Sequence, residues 1–141
     1  MRKNIVMAIA FLFCISVHAF GQTKELDMLN NKAFTVTLKQ VKGEVIQRTW
    51  IWGGDEISFA RGSLTSKVMK AHEHFFPAGC SASADSSSGT KVVTFKGTGA
   101  NLGSYTIDWQ GTVKGDAING TAVWHNGYGT QVYAFTGTLK K

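Results

Sequence analysis

The stretch "DWQGTVKGDAINGTAVWHN", residues 108–126, has a Gly-Asp pair at its centre and a tryptophan towards each end. Gly115 and Asp116 suit the tip of a two-residue hairpin of type I′ or II′. Such a turn places Val113 opposite Ile118 and, four residues further from the tip, Trp109 opposite Ala122. The stretch therefore predicts two antiparallel strands joined by a tight turn.

The two faces of this predicted hairpin differ sharply in polarity, because side chains alternate along a strand. One face carries the large apolar residues and two glycines: Ile107, Trp109, Gly111, Val113, Ile118, Gly120, Ala122 and Trp124. The other face is polar, with Val123 as the main exception: Thr106, Asp108, Gln110, Thr112, Asn119, Thr121 and His125. Both tryptophans are thus predicted to point into the protein, and His125 out of it.

An aromatic residue precedes a glycine by two positions at Phe95–Gly97, Trp109–Gly111 and Phe135–Gly137. Each pair shares one face of its strand. A glycine on the inner face lets a sheet bend tightly, and a neighbouring ring fills the space. This spacing favours a strongly curved sheet.

Short alternating segments separated by Gly, Asn, Asp or Ser continue through most of the chain after residue 32, and such segments are typical of strands. They predict nine strands, one of which has a weak pattern: 33–41, 45–52, 55–60, 66–76, 78–85, 91–99, 105–114, 117–125 and 130–139. A sequential meander of this length closes into a barrel, since closure removes the exposed edges. We therefore expect an all-β fold with a single antiparallel up-and-down barrel of about eight strands.

The first 21 residues have the order of a secretory signal peptide: a basic start, an apolar run over 5–17, and small residues at Ala19 and Gly21. The apolar run of about 13 residues is shorter than the ~20 of a spanning helix. The chain is thus expected to be secreted or periplasmic, with a barrel domain over 22–141 and no membrane span. Cys80 is then the only cysteine, so no disulfide forms within the domain.

The positive charge is scattered. The full chain has 15 basic and 9 acidic residues, and loss of Arg2 and Lys3 leaves 13 and 9, a net charge of +4. Nucleic-acid binding needs a clustered basic patch, so no nucleic-acid partner is expected. The sequence does not define a protein partner.

Arg48 is the first candidate for binding chemistry. A hairpin turn at Gly53–Gly54 would place Arg48 on the inner face between Trp50 and Phe59. A guanidinium there either grips an acidic ligand or forms a structural plug bonded to backbone carbonyls. If the opposite face, with Gln47 and Thr49, points inward, Arg48 is an ordinary surface residue.

His72 and His74 form the candidate metal pair. On the predicted strand 66–76 they point the same way, as some zinc and copper ligands do. A third ligand would have to come from Cys80 or Asp85. Cys80 is otherwise an inert buried thiol, because no histidine is clearly paired with it. The pattern carries no G-x-S-x-G motif, and no cofactor is implied.

The C-terminal hairpin "W-x-G-x-V-x-G-D-x-I-x-G-T", Trp109 to Thr121, followed by "Y-x-F-x-G-x-L", Tyr133 to Leu139, resembles the end of calycin-type (lipocalin-like) barrels. More narrowly, it is similar to small secreted bacterial domains of that class. The resemblance extends to "LNNKAFTVTL" at 29–38, although the lipocalin G-x-W start is absent. It implies a scaffold and no particular chemistry.

Barrels of this class bind small ligands in the mouth or interior. The sequence therefore predicts a non-enzymatic binding protein for a small apolar or aromatic, possibly acidic, ligand, whose wall residues would be Arg48, Trp50, Phe59, Trp109, Trp124 and Tyr133. An eight-stranded barrel is only just wide enough for side chains to fill it. A structural or interaction barrel with a self-filled interior is the second hypothesis. A metal-dependent or isomerase-type enzyme is the third.

Overall fold

A computed structural model of the chain describes residues 24–44 and 54–141. The predicted signal peptide, the predicted strand 45–52, Arg48 and Trp50 lie outside these residues. The described part contains eight strands: β1 Lys32–Lys42, β2 Asp55–Ala60, β3 Ser63–Ser66, β4 Ala78–Asp85, β5 Val92–Ala100, β6 Thr106–Lys114, β7 Ala117–Asn126 and β8 Gly129–Leu139. A short helix, α1, spans Lys67–Glu73.

The strands form a closed barrel in which each pairs with the next along the chain and β1 pairs with β8. Every pairing is antiparallel. At the closing seam, Val36 lies opposite Gly137 and Leu38 opposite Phe135. The predicted all-β fold with an antiparallel up-and-down barrel of about eight strands is confirmed. This architecture is consistent with a calycin-like fold.

The hairpin predicted around Gly115 is confirmed in register. Val113 pairs with Ile118, and Trp109 pairs with Ala122. Gly115 has a φ of 58°, and Asp116 is not among the positive-φ residues, which fits a type II′ turn. All six non-glycine members of the predicted inner face are buried, whereas His125 is exposed.

Two predicted features of the middle of the chain are wrong. Residues 67–73 form α1, not a strand, because Ser66 caps the helix by accepting a hydrogen bond from the Met69 amide. The proposed hairpin at Gly53–Gly54 cannot pair Ile57 with Trp50, because both sides of β2 are occupied. Ile57 lies opposite Phe34 of β1 and Ser66 of β3.

The barrel has two distinct ends. At the termini end, where β1 begins and β8 stops, residues 24–31 fold over the opening and bury Leu29. The opposite end is the helix end, formed by α1 and the connections 74–77, 101–105 and 127–128. The described residues contain no helix with the length and apolar character needed to cross a bilayer.

Candidate functional site

Aromatic rings occupy the barrel interior. Phe59 is the middle of an edge-to-face series, with ring centroids 6.2 Å from Phe34 and 5.0 Å from Phe95. Trp109 packs at 5.8 Å from Phe135. Edge-to-face pairs at these distances are favourable beyond the area that they bury. The rings therefore act as mutual packing partners.

A cavity of about 10 Å³ remains beneath α1 at the helix end. This is about the volume that one water molecule needs. Its wall is almost wholly apolar and combines strand and helix residues: Leu38, Asp55, Val68, Met69, Ile107, Trp109, Ala122 and Tyr133. Because barrel and helix residues enclose it together, this cavity is the candidate site for a ligand inside the barrel.

Asp55 is the polar residue of this wall, and it anchors α1. Its carboxylate accepts hydrogen bonds from the Glu56 amide at 2.7 Å, the Val68 amide at 2.9 Å and the Ser66 hydroxyl. Burial raises the pKa of Asp55, and the hydrogen bonds from Ser66 and the backbone amides oppose this change. The Asp55 side chain thus links the start of β2 to the start of α1.

Gln131 is a second buried polar side chain near the helix end. It is fully buried opposite Trp124, and its carbonyl oxygen accepts a hydrogen bond from Asn126 at 2.6 Å. Among the described residues, its amide nitrogen has no hydrogen-bond acceptor. A buried donor without an acceptor carries a free-energy cost.

The predicted ligand residues divide into three groups. Arg48 and Trp50 lie outside the described residues. Trp109 and Tyr133 meet at the cavity beneath α1. Phe59 and Trp124 belong to the buried core and do not line that cavity.

Sequence reasoning missed Asp55, Met69 and Gln131. The Ser66 N-cap followed by basic residues late in the helix was a signal for α1. Nothing in the local pattern marks Asp55 as the partner of that helix, because the two are separated by β2, β3 and the turn between them.

The predicted metal pair does not share a strand face. His72 lies on α1, and His74 is the helix C-cap with a left-handed φ of 56°. In the part of the chain that the structure describes, no three His, Cys, Asp or Glu side chains are grouped as metal ligands would be.

Cys80 lies opposite Gly97, on the same face of β4 as the buried Ala78 and Ala82, and is itself half-buried. Its thiol donates to the Ala78 carbonyl at 3.3 Å. Burial raises the pKa of Cys80 to about 11. The thiol is therefore neutral and poorly nucleophilic near pH 7.

A chain of polar side chains crosses the outer wall. Thr98 donates to Asp108 at 2.6 Å, and the two ring nitrogens of His125 contact Asp108 at 3.3 Å and Thr130 at 3.0 Å. About half of the Asp108 and His125 side-chain surface is exposed. The group resembles a hydrolytic triad in composition, but it lies open to solvent.

No family model, curated relative or solved structure matches the chain.

Proposed function

We propose that the protein is an exported, non-enzymatic β-barrel that acts through its outer surface and fills its interior with its own side chains. The observation that carries this proposal is the packing beneath α1, which leaves about 10 Å³. Binding pockets for small molecules have volumes of about 300–1,000 Å³. The aromatic series centred on Phe59 uses the volume that a ligand would need.

The chemistry of the described residues favours a non-enzymatic role. The Cys80 thiol is protonated near neutral pH because burial raises its pKa. The triad-like group around His125 lies on the solvent-facing wall, where water is not excluded from a reacting substrate. Export is inferred from the signal-peptide pattern of residues 1–21, and membership of the calycin class from the motif after Trp109.

A small apolar ligand at the helix end is the second candidate function. It is favoured by the convergence of Trp109, Tyr133 and Met69 on one cavity. The amide of Gln131 at the same end, which has no acceptor among the residues that the structure describes, is a further polar group that a ligand could bond. Such a ligand would have to displace Met69, and α1 with it, to gain room.

Native mass spectrometry and thermal unfolding separate the two candidates. We expect protein recovered from its own host to have the mass of the polypeptide alone, and its melting temperature to be unchanged by benzoate or decanoate. A ligand at 100 times its Kd would stabilise the fold by about 2.7 kcal/mol. A bound molecule of a few hundred daltons would contradict the proposal. Met69→Trp fills the space under α1. If this variant no longer binds the molecule, the cavity is the binding site.

A further inference from the structure

The exposed large hydrophobic side chains of the described residues all lie at the helix end. They are Val41, Phe76, Leu102 and Tyr128, with exposed fractions of 55%, 56%, 83% and 63%. Single exposed apolar residues are common, but several at one end of a molecule mark an interaction surface. We call Phe76, Leu102 and Tyr128, which lie in the connections, the apolar rim.

Hydrogen bonds hold the backbone of the loops that carry Leu102 and Tyr128 in place. Asn101 accepts from the Gly103 and Tyr105 amides at 2.9 and 3.0 Å, which fixes the loop that carries Leu102. Its amide also donates to the Glu73 carbonyl at 3.0 Å, tying this loop to α1. Asn126 accepts from the Tyr128 amide at 2.8 Å. Little backbone freedom of these two loops is then lost when the rim meets a partner.

The loops of the rim carry no charge, whereas the helix beside them is basic. Residues 101–105 and 127–128 contain no Lys, Arg, Asp or Glu. In α1, which is described throughout, Lys67 and Lys70 are exposed and the single acidic residue, Glu73, is half-buried. The carboxylate of Glu56, close enough to Lys67 to interact electrostatically, is already bonded to Lys140 at 2.7 Å.

The basic helix lies directly beside two of the rim residues. The Phe76 amide bonds to the Ala100 carbonyl, and Phe75 forms a β-bridge with Asn101. Phe76 and the Leu102 loop are therefore neighbours, three residues beyond the end of α1. The partner surface should be apolar where it meets the rim and anionic where it meets α1.

We propose that the helix end docks onto an anionic phospholipid surface, with Leu102, Phe76 and Tyr128 entering the interface and Lys67 and Lys70 facing the lipid phosphates. The rim side chains lie on separate connections. The surface of a lipid bilayer is fluid and can therefore accommodate side chains that do not form one continuous patch. Aromatic residues with a polar edge, such as tyrosine, favour the headgroup region. Lysines beside inserted apolar residues add attraction to anionic lipids. This proposal rests on the surface-acting function above and names its partner.

Vesicle co-sedimentation tests the proposal. Protein recovered after expression of the full chain, with its N-terminus sequenced, is mixed with vesicles of phosphatidylcholine alone or with an equal part of phosphatidylglycerol. We expect binding to the anionic vesicles that weakens as salt is raised. Phe76→Ser with Leu102→Ser should reduce partitioning at least tenfold, and Lys67→Gln with Lys70→Gln about threefold.

The matched control is Lys96→Gln with Lys114→Gln, which removes the same charge away from the helix end. Unchanged binding of this control supports the proposal. Equal losses in both lysine pairs, or no effect of the double serine variant, would overturn it. The proposal would also be overturned if the protein did not bind vesicles but self-associated, and if Leu102→Ser removed this self-association. The rim would then be a contact surface for a second copy of the chain. An interior ligand found by mass spectrometry would instead contradict the surface-acting function itself.

Discussion

At the scale of single residues, the barrel depends on rings that cover glycines on the neighbouring strand. Phe95 lies opposite Gly111, and Phe135 lies opposite Gly120. A Cβ atom on Gly111 would lie 2.8 Å from Cζ of Phe95, and one on Gly120 would lie 2.6 Å from Cζ of Phe135. Both glycines are therefore required by close approach.

Gly120→Ala should destabilise the protein by about 3 kcal/mol, because the added methyl group meets both the Phe135 ring and the backbone of β6. Gly79→Ala is the matched control, since a Cβ atom there has no neighbour within 4 Å. It should change the free energy of unfolding by less than about 0.5 kcal/mol. Urea unfolding measures both, and similar losses in the two variants would contradict this account.

The sequence predicts the residues of these contacts but not their partners. The aromatic–glycine spacing placed Phe95 with Gly97 on one strand face, and both do face inward. The ring instead covers Gly111, because directly opposed residues are about 5 Å apart, whereas residues two apart on a strand are about 6.6 Å apart. Cross-strand register is needed to choose between them, and a single strand does not contain it.

At the scale of elements, α1 is the feature that the sequence pattern gets wrong. Its seven residues make only two turns, too few for a 3.6-residue periodicity to stand out. Val68 and Met69 face the interior together, and the segment therefore resembles an irregular strand. The start of the helix is bonded to Asp55, which lies outside the helix on β2, and the pattern of the helical segment alone cannot report that contact.

Asp55→Asn should change the pH dependence of stability. Because burial raises the Asp55 pKa above the 3.8 that is usual for an aspartate, the folded protein holds this proton more tightly than the unfolded chain does. The contribution of Asp55 is therefore full below about pH 4 and falls as the pH rises through the folded-state pKa. Wild type should lose stability relative to Asp55→Asn as the pH is raised above about 4, as measured by urea unfolding.

Asp85→Asn is the control of opposite sign. Hydrogen bonds from Ser87 lower the pKa of the exposed Asp85, so its contribution is present above pH 4 and lost as the pH falls. Wild type should then lose stability relative to this variant on acidification. For each variant, the measured quantity is the difference in stability from wild type as a function of pH. If this difference changes in the same direction for both asparagine variants, Asp55 is not a carboxyl group that folding stabilises in its neutral form.

At the scale of the whole molecule, the alternation of apolar and polar residues predicts the closed barrel but not how full it is. The inner faces of β6 and β7 follow from a period of two and a Gly-Asp turn. Whether the rings of Phe59, Phe95 and Trp109 enclose a pocket depends on their rotamers and on the stagger of eight strands. Both are properties of the assembled barrel. The sequence alone therefore does not distinguish an open interior from a filled one.

Phe95→Ala tests the filled interior most directly. Removing a ring that packs against Phe59 should cost about 4 kcal/mol and leave an apolar cavity, because Gly111 opposite has no side chain to fill it. An apolar cavity of benzene size stays dry and binds benzene. Benzene should thus raise the melting temperature of Phe95→Ala and leave that of wild type unchanged.

Phe95→Leu, which removes less volume, is the variant to use if the alanine form does not fold, and benzene should raise its melting temperature by less. Equal stabilisation of wild type would mean that the native barrel already holds a pocket, since benzene gains affinity only where apolar space is empty.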